Sequence, residues 1–412
     1  MNPHNTNPRL IYADYNASSP INEKVKFFLQ KRINGNFANP NAIHAFGKSI
    51  KSEIESSRET IADLIGSNPE QVIFTSGSTE GISTIFHQFY LKKPFCNDKK
   101  NCIISSQLEH SAVIKNISSL KAEDLIDEFN VTCLNSGIID TKHAKDLIER
   151  HKNKVGLISL MSVNNEIGTI QPIEELIEIA NFHKIPFFAD TTQHIGRIPF
   201  HFHKSQLDFA VLSGHKLGAP LGIGVLLCRN PEVLSPLILG GNQEMYQRGG
   251  TQNFLGIIGL SLALEDHLTS STKFHEKWSL LENEKMEFEK NLKNYFPDLV
   301  IYGDSVNRIA NTTCLSFPLI HGQAIQIECE SRNIFFTTSS ACSDNEPETS
   351  KILKAMGIND SLGRGTIRIS TGQSYKKGDY DIIFNTLKDV IKKLSFANQN
   401  CTFGSWSAEG GQ

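Results

Sequence analysis

Four kinds of residue in this sequence could do chemistry, and each stands just after a short apolar run. Lys216, in Ser213-Gly214-His215-Lys216, follows Asp208 to Leu212. A lysine amine at a strand end, partly desolvated and near other cations, is nucleophilic at neutral pH and can form a Schiff base with an aldehyde. The plain alternative is a surface lysine. Asp190 follows the run Ile185 to Ala189. Its carboxylate could pair with a protonated ring nitrogen or simply cap a turn, and Gln193, three residues on, could donate to a ring oxygen. The turn Ser76-Gly77-Ser78-Thr79-Glu80-Gly81 follows Gln71 to Thr75 and opens a helical pattern. Small residues there let backbone amides reach a phosphate at a helix N-terminus, although many capped turns look the same. Ser213 and His215 could add donors to such a phosphate. His110, in Glu109-His110, could stack on a flat ring and shuttle protons. The amide of Asn165, in Asn164-Asn165-Glu166-Ile167-Gly168, could bind a ring oxygen or a substrate carboxylate. Each residue alone has an ordinary structural reading. Together they make a phosphate cradle, a ring stacker, a partner for a ring nitrogen and a reactive amine.

Such a set needs elements that bring distant segments to one edge. Short apolar runs at Gln71–Thr75, Asn101–Ser105, Val155–Ser162, Pro186–Ala189, Phe209–Leu212 and Ile223–Leu227 read as strands. Helical spacing separates them, as in Ile173, Leu176, Ile177, Ile179 and Ala180. Alternating strands and helices predict an α/β fold with a mostly parallel sheet covered on both faces, and such sheets bind ligands at the carboxyl ends of their strands. After about residue 257 the pattern changes. A charged amphipathic helix is predicted over Trp278–Leu292, strands at Cys314–Phe317, Ile334–Thr337 and Thr366–Ser370, and a last helix over Asp379–Leu394. This divides the chain into a large unit over 16–256 and a smaller α+β unit from 1–15 and 257–395. The polar tail 396–412 is expected to be disordered.

Bulk properties narrow the partners. The 412 residues carry a net charge of −3, which argues against a nucleic-acid partner held by a basic surface. The N-terminus is polar and no apolar run reaches the ~18 residues a membrane helix needs, so a soluble, cytoplasmic protein with no membrane partner is expected. The eight cysteines show no paired C-x-x-C spacing, which argues against structural zinc. His201 and His203 share a face, but no Cys or acidic pair completes a metal site. Most cysteines sit in apolar strings; Cys342, in Ser339-Ser340-Ala341-Cys342-Ser343-Asp344, has small polar neighbours instead.

The segments Asp14-Tyr15-Asn16-Ala17, Thr75 to Glu80, Glu109-His110, Asn164 to Gly168, Asp190 to Gln193, Ser213 to Lys216, Arg248-Gly249-Gly250-Thr251 and Ser340-Ala341-Cys342 resemble, in order and approximate spacing, the cysteine desulfurases of the class V aminotransferase superfamily. The resemblance runs from about Tyr12 to Leu394. It implies the fold-type I architecture of enzymes that use pyridoxal 5′-phosphate. Lys216 would be the Schiff-base lysine. Asp190 would pair with the pyridine nitrogen, Gln193 and Asn165 would contact the ring oxygen, and His110 would stack on the ring and act in acid/base steps of catalysis. Ser78, Thr79, Ser213 and His215 would hold the phosphate, with Thr251 reaching in from the other subunit of a homodimer. Arg368, with Asn165, would bind the carboxylate of L-cysteine, a task that suits a guanidinium. Cys342 would take the sulfur as a persulfide and pass it to an acceptor protein of the scaffold or tRNA-thiolation type, serving iron–sulfur cluster assembly or tRNA thiolation. The length from Cys342 to Ile352-Leu353 resembles the long-loop branch.

Four features depart from the family pattern. Ser339 stands where glycine is usual. Asp344 and Glu346 follow Cys342 where small neutral residues are usual, and carboxylates there should raise the thiol pKa. Gln373 replaces a frequent basic residue, and the tail is short. The rival enzyme readings are a selenocysteine lyase or another class V aminotransferase, neither of which needs Cys342. A cofactor-bearing scaffold without activity is the non-enzyme rival, disfavoured by the full set of lysine, aspartate, histidine and cysteine.

Overall fold

The computed structural model describes residues 9–35, 37–92, 97, 99–268, 271–338 and 349–401. Its strands, in chain order, are β1 (Ile11–Tyr12), β2 (Val72–Thr75), β3 (Cys102–Ser106), β4 (Asp127–Val131), β5 (Val155–Ser159), β6 (Phe187–Asp190), β7 (Phe209–Ser213), β8 (Gly224–Cys228), β9 (Val300–Ile301), β10 (Thr312–Ser316), β11 (Ile334–Phe335), β12 (Thr337–Thr338) and β13 (Thr366–Ser370).

The large sheet has the order β2-β8-β7-β6-β5-β3-β4. β7, β6, β5, β3 and β4 run parallel, while β8 is antiparallel to both its neighbours. β2 therefore points the same way as β7, and the carboxyl ends of β2, β3, β5, β6 and β7 share one edge. The sheet is α/β and mostly parallel, as the alternation of apolar runs and helices predicts. Every residue of β2, β3, β5, β6, β7 and β8 is buried, which is why these strands read as continuous apolar runs. The chain winds in opposite senses from β3 to β4 and from β5 to β7. A crevice opens at such a reversal in an α/β sheet.

The helix Ala45–Ile65 shows how the large sheet is covered. Ile50, Ile54, Ile61, Ala62 and Ile65 are buried at helical spacing, His44 caps the first turn, and Gly66 ends the helix at φ 66°. It packs against the helix Phe254–Leu268. Ile257, Leu260, Ala263 and Leu264 of that second helix join the same core, although they lie beyond residue 256. We propose that the large unit extends through this helix.

The smaller sheet, β12-β13-β10-β9, is antiparallel throughout. Its core joins Leu315, Ile367 and Ile369 to the helices Ser271–Tyr295 and Asp379–Cys401. The N-terminal β1 pairs with β11 here before the chain crosses to the large sheet. The tail assigned to 396–412 lies, beyond residue 401, outside the described residues. No helix among the described residues is long and apolar enough to cross a membrane.

One buried ion pair fixes β2. Arg58, on the helix Ala45–Ile65, makes two hydrogen bonds to Glu244 at 2.8 and 3.0 Å, and a third at 2.6 Å to the Val72 carbonyl. Glu244 also accepts from the Phe74 amide at 2.9 Å and from Gln252 at 2.8 Å. It thus ties β2, which leads into the Ser76–Gly81 turn, to the segment carrying Arg248 and Thr251. Glu244, Met245 and Tyr246 all have positive φ, a strained run that this pairing must hold. Glu244→Ala leaves the buried Arg58 guanidinium only the half-exposed carboxylate of Glu55, at 3.0 Å, and should cost up to about 3–5 kcal/mol. Urea unfolding followed by circular dichroism checks this; a loss within 1 kcal/mol would show that the pair is not a fastening.

Candidate active site

The turns that follow the strands converge on one cavity of about 430 Å³. Ser78, Thr79, His110, Asn165, Asp190, Gln193, Ser213, His215 and Lys216 all line it. Gly77 caps the helix Ser78–Tyr90, and β8 passes close behind it. A Cβ on Gly224 would lie 2.5 Å from Gly77 Cα, so this approach needs glycine. Ser78 and Thr192 hydroxyls meet at 2.6 Å, joining this turn to the one after β6. Glu80, partly buried yet held below the ordinary carboxylate range by Arg248 and Ser76, secures the turn on its other side.

Lys216 is half-buried, and its amine donates to the Asn16 and Ala17 carbonyls, both at 2.7 Å. Burial first, then the charges of Arg197 and Arg368, pull its pKa down to about 8, against the pull of Asp14 and Asp190. The amine is therefore partly neutral near physiological pH. His215, bonded at 3.3 Å to Ser18, is pushed down to about 4 by burial, Lys216 and Arg197, so its ring is neutral here. Asp190 accepts from the Thr192 amide at 2.9 Å. His110 caps the helix Ser111–Ala122 by accepting the Ala112 amide on Nδ1. In its neutral form the ring then carries its proton on Nε2.

Two polar atoms in the cavity wall are left over. Asn165 Oδ1 and Gln193 Oε1 are buried acceptors with no donor. Such atoms are costly unless something supplies a proton, and a ring hydroxyl would do so. With the small-residue turn, the carboxylate and the labile amine, this donor set fits a flat, phosphate-bearing aromatic aldehyde.

Two expected site residues, Arg368 and Thr251, are not in this wall. Arg368 is buried near the cavity but is not in its wall. Its Nη2 pairs with Asp14 at 2.6 Å, Nη1 donates to the Asn165 carbonyl at 3.1 Å, and Nε has no partner. Thr251 lines a smaller adjoining cavity that shares Ser76 and Gly222 with the main one. Cys342, with Ser339, Asp344 and Glu346, lies outside the described residues.

The structure adds charged groups that the spacing of motifs does not single out. Glu109, beside His110, is buried. One oxygen accepts the Met161 amide at 2.6 Å and the other has no partner. Burial, with Asp190 nearby, raises its carboxyl well above the usual range. Burial lifts Glu166 to about 7 despite a hydrogen bond from Ser350 and the charge of Arg368. Arg197, 4% exposed, lies seven positions after Asp190 and carries no sequence mark separating it from a surface arginine. Among the described residues no group of histidines, cysteines and carboxylates could hold a metal ion; His201 caps a short helix instead.

The match to known proteins covers nearly the whole chain. The family model described as aminotransferase class-V matches residues 11–382. A cysteine desulfurase IscS of Dictyoglomus turgidum is 33% identical over 94% of this chain and 95% of its own length. Another, from Methanosarcina thermophila, is 32% identical over 94% of each. Among solved structures, a NifS-like protein superposes with a TM-score of 0.83 at 28% identity, covering 94% of this chain and all of its own. SspA, solved in complex with cysteine, gives 0.74 at 30% identity over 87% of this chain and 98% of its own.

The depressed Lys216 pKa predicts a labelling profile. In ligand-free protein an aldehyde reagent should modify Lys216 with a midpoint near pH 8, against 10.5 for an ordinary lysine. Arg197→Gln removes a like charge and should move that midpoint up. Mass spectrometry across a pH series measures both, and a midpoint above 10 would contradict the desolvated setting.

Proposed function

This chain belongs to the aminotransferase class-V family, and from that premise we propose that it removes sulfur from L-cysteine at the Lys216 cavity. It is a cysteine desulfurase that uses pyridoxal 5′-phosphate. The observation that carries the site assignment is the lowered basicity of the Lys216 amine, in one cavity with Asp190, His110 and the Ser76–Thr79 turn.

Lys216 would hold the cofactor covalently. Ser78, Thr79, Ser213 and His215 would hold its phosphate, Asp190 its ring nitrogen, and Asn165 and Gln193 its ring oxygen, with His110 stacked on the ring. When bound, the cofactor supplies an electron sink for the charge left at the substrate Cα. The protein's own part is to place groups and move protons. Arg368 would bind the substrate carboxylate through Nε–H and the Nη protons that Asp14 and Asn165 leave free. The Lys216 amine, neutral in part near pH 8, would take the Cα proton. The Cys342 thiolate would attack the substrate sulfur. An S–S bond forms there as the substrate C–S bond breaks, and the substrate carbon, once protonated, leaves as L-alanine. In total, L-cysteine and the Cys342 thiol give L-alanine and a Cys342 persulfide. Glu109, buried beside His110, would support the wall behind it by accepting the Met161 amide.

A homodimer is part of this reading, with Thr251 completing the partner's phosphate site. Exposed apolar residues on segments near the cavity support it: Leu221, in the cavity wall, is 76% exposed, and Leu239 and Tyr246 are 82% and 72% exposed. A monomer would leave these in water, where such patches mark interfaces. The persulfide would go to an acceptor protein, for iron–sulfur cluster assembly or tRNA thiolation. Cys102, Cys133, Cys228, Cys314 and Cys329 are free, in keeping with a reducing cytoplasm.

The test separates cofactor chemistry from sulfur transfer. Cys342→Ala should still bind L-cysteine and shift the visible spectrum, yet release no alanine and carry no persulfide by mass spectrometry. Wild-type turnover by this variant with dithiothreitol present would move the protein to a lyase or aminotransferase reading. Borohydride reduction should fix the cofactor on Lys216, and a label on another lysine would remove the site assignment.

A further inference from the structure

A second cavity, of about 630 Å³, shares no lining residue with the Lys216 cavity. Its walls come from the 197–199 segment, the helix Ser271–Tyr295 and the stretch 301–310. Its size falls in the range of small-molecule sites. Four of its eight charged side chains are paired with each other. Arg308 makes two hydrogen bonds to Glu289, at 2.8 and 2.6 Å, and Lys293 pairs with Asp304.

Two buried cations remain. The Arg197 guanidinium, 4% exposed, has one hydrogen bond, a long one of 3.3 Å to the Thr192 carbonyl. The Lys285 amine, 3% exposed, donates to the Ile309 carbonyl at 2.9 Å. Neither has a carboxylate within ion-pair distance among the described residues. Burial lowers Arg197 to about 10, helped by Arg368, and Lys285 to about 8, helped by Arg308 and opposed by Glu289 and Glu282. An unpaired buried cation is costly, and a cavity at its side gives an anion room to pair with it.

We propose that this cavity binds a small organic carboxylate, its anionic group held by Arg197 and Lys285 and its carbon skeleton against Ile170, Ile198 and Trp278. The class follows from the wall. Glu282 and Glu289 repel a dianion such as phosphate more than a monoanion, and the apolar face rewards carbon over a bare inorganic ion. Arg197 also holds the Thr192 carbonyl, so an occupant would adjoin the turn that carries Asp190 and Gln193.

The sequence has two tryptophans, Trp278 and Trp406, so Trp406→Phe leaves the cavity's own tryptophan as the sole reporter. Holoenzyme carrying that change is titrated with acetate, butyrate or inorganic phosphate at constant ionic strength. Butyrate should change Trp278 fluorescence saturably. The response should persist with Arg368→Lys, which disables the proposed substrate-carboxylate site. Lys285→Met should weaken it at least tenfold, about 1.4 kcal/mol, with cysteine turnover unchanged. The proposal is overturned by no saturable response to either carboxylate, by a response to phosphate alone, or by loss of the response with Arg368→Lys. Equal affinity with Lys285→Met, read on folded protein, overturns it as well. If that variant does not fold, the titrations of the Trp406→Phe and Arg368→Lys proteins still decide.

Discussion

The carbonyl oxygens of Asn16 and Ala17 hold the Lys216 amine, and the arrangement of the site depends on that grip. A carboxylate in their place would pin the proton on the amine. Neutral carbonyls satisfy its hydrogens while burial and two nearby arginines keep the charged form expensive. The same strap of chain spans both sheets. Asn16 donates from its backbone to Ser370 and from its side chain to Thr312, both on the smaller sheet. Its carbonyl also accepts from Gln193, beyond β6. Ser19 closes the strap onto the Lys216 and His215 carbonyls. The reactive amine is therefore positioned by a segment about two hundred residues away in sequence, anchored at both ends.

Much of the large sheet was legible because its central strands are buried on both faces and must be apolar throughout. β4 was not. Asp127, Glu128 and Asn130 make it polar, as suits a sheet edge, and its alternation is too short to stand out. The run expected over Ile334–Thr337 is two short strands in different sheets, β11 beside β1 and β12 beside β13, because the chain passes from one to the other at Phe336. The antiparallel setting of β8 was also hidden, since side-chain pattern does not report strand direction. The helix Phe254–Leu268 is apolar on nearly every side. Composition therefore could not say which sheet it covers.

The polar wall of the main cavity was legible for a related reason. Adjacent parallel strands bring their carboxyl ends together, so the polar residues immediately after each apolar run must meet, however distant they are in sequence. The charges behind that wall were not legible. Glu109, Glu166 and Arg197 differ from exposed residues of the same type only in their surroundings, and burial depends on the whole fold. One of these hidden groups, Arg197, nevertheless acts directly on Lys216, lowering the basicity of its amine.

The pair between Asp14 and Arg368 has a consequence for turnover. A guanidinium waiting in bulk water would have to shed that water before gripping an incoming acid, and would have to be rehydrated each time the acid departed. Here an internal carboxylate already sits against it at 2.6 Å. If Arg368 takes the substrate carboxylate as proposed, arrival of an acid would be an exchange of partners, and departure would return the cation to Asp14. Such a resident counterion shields the site from dissolved salts. On that reading it would also favour release over retention, which suits an exchange of one amino acid for another nearly identical in shape.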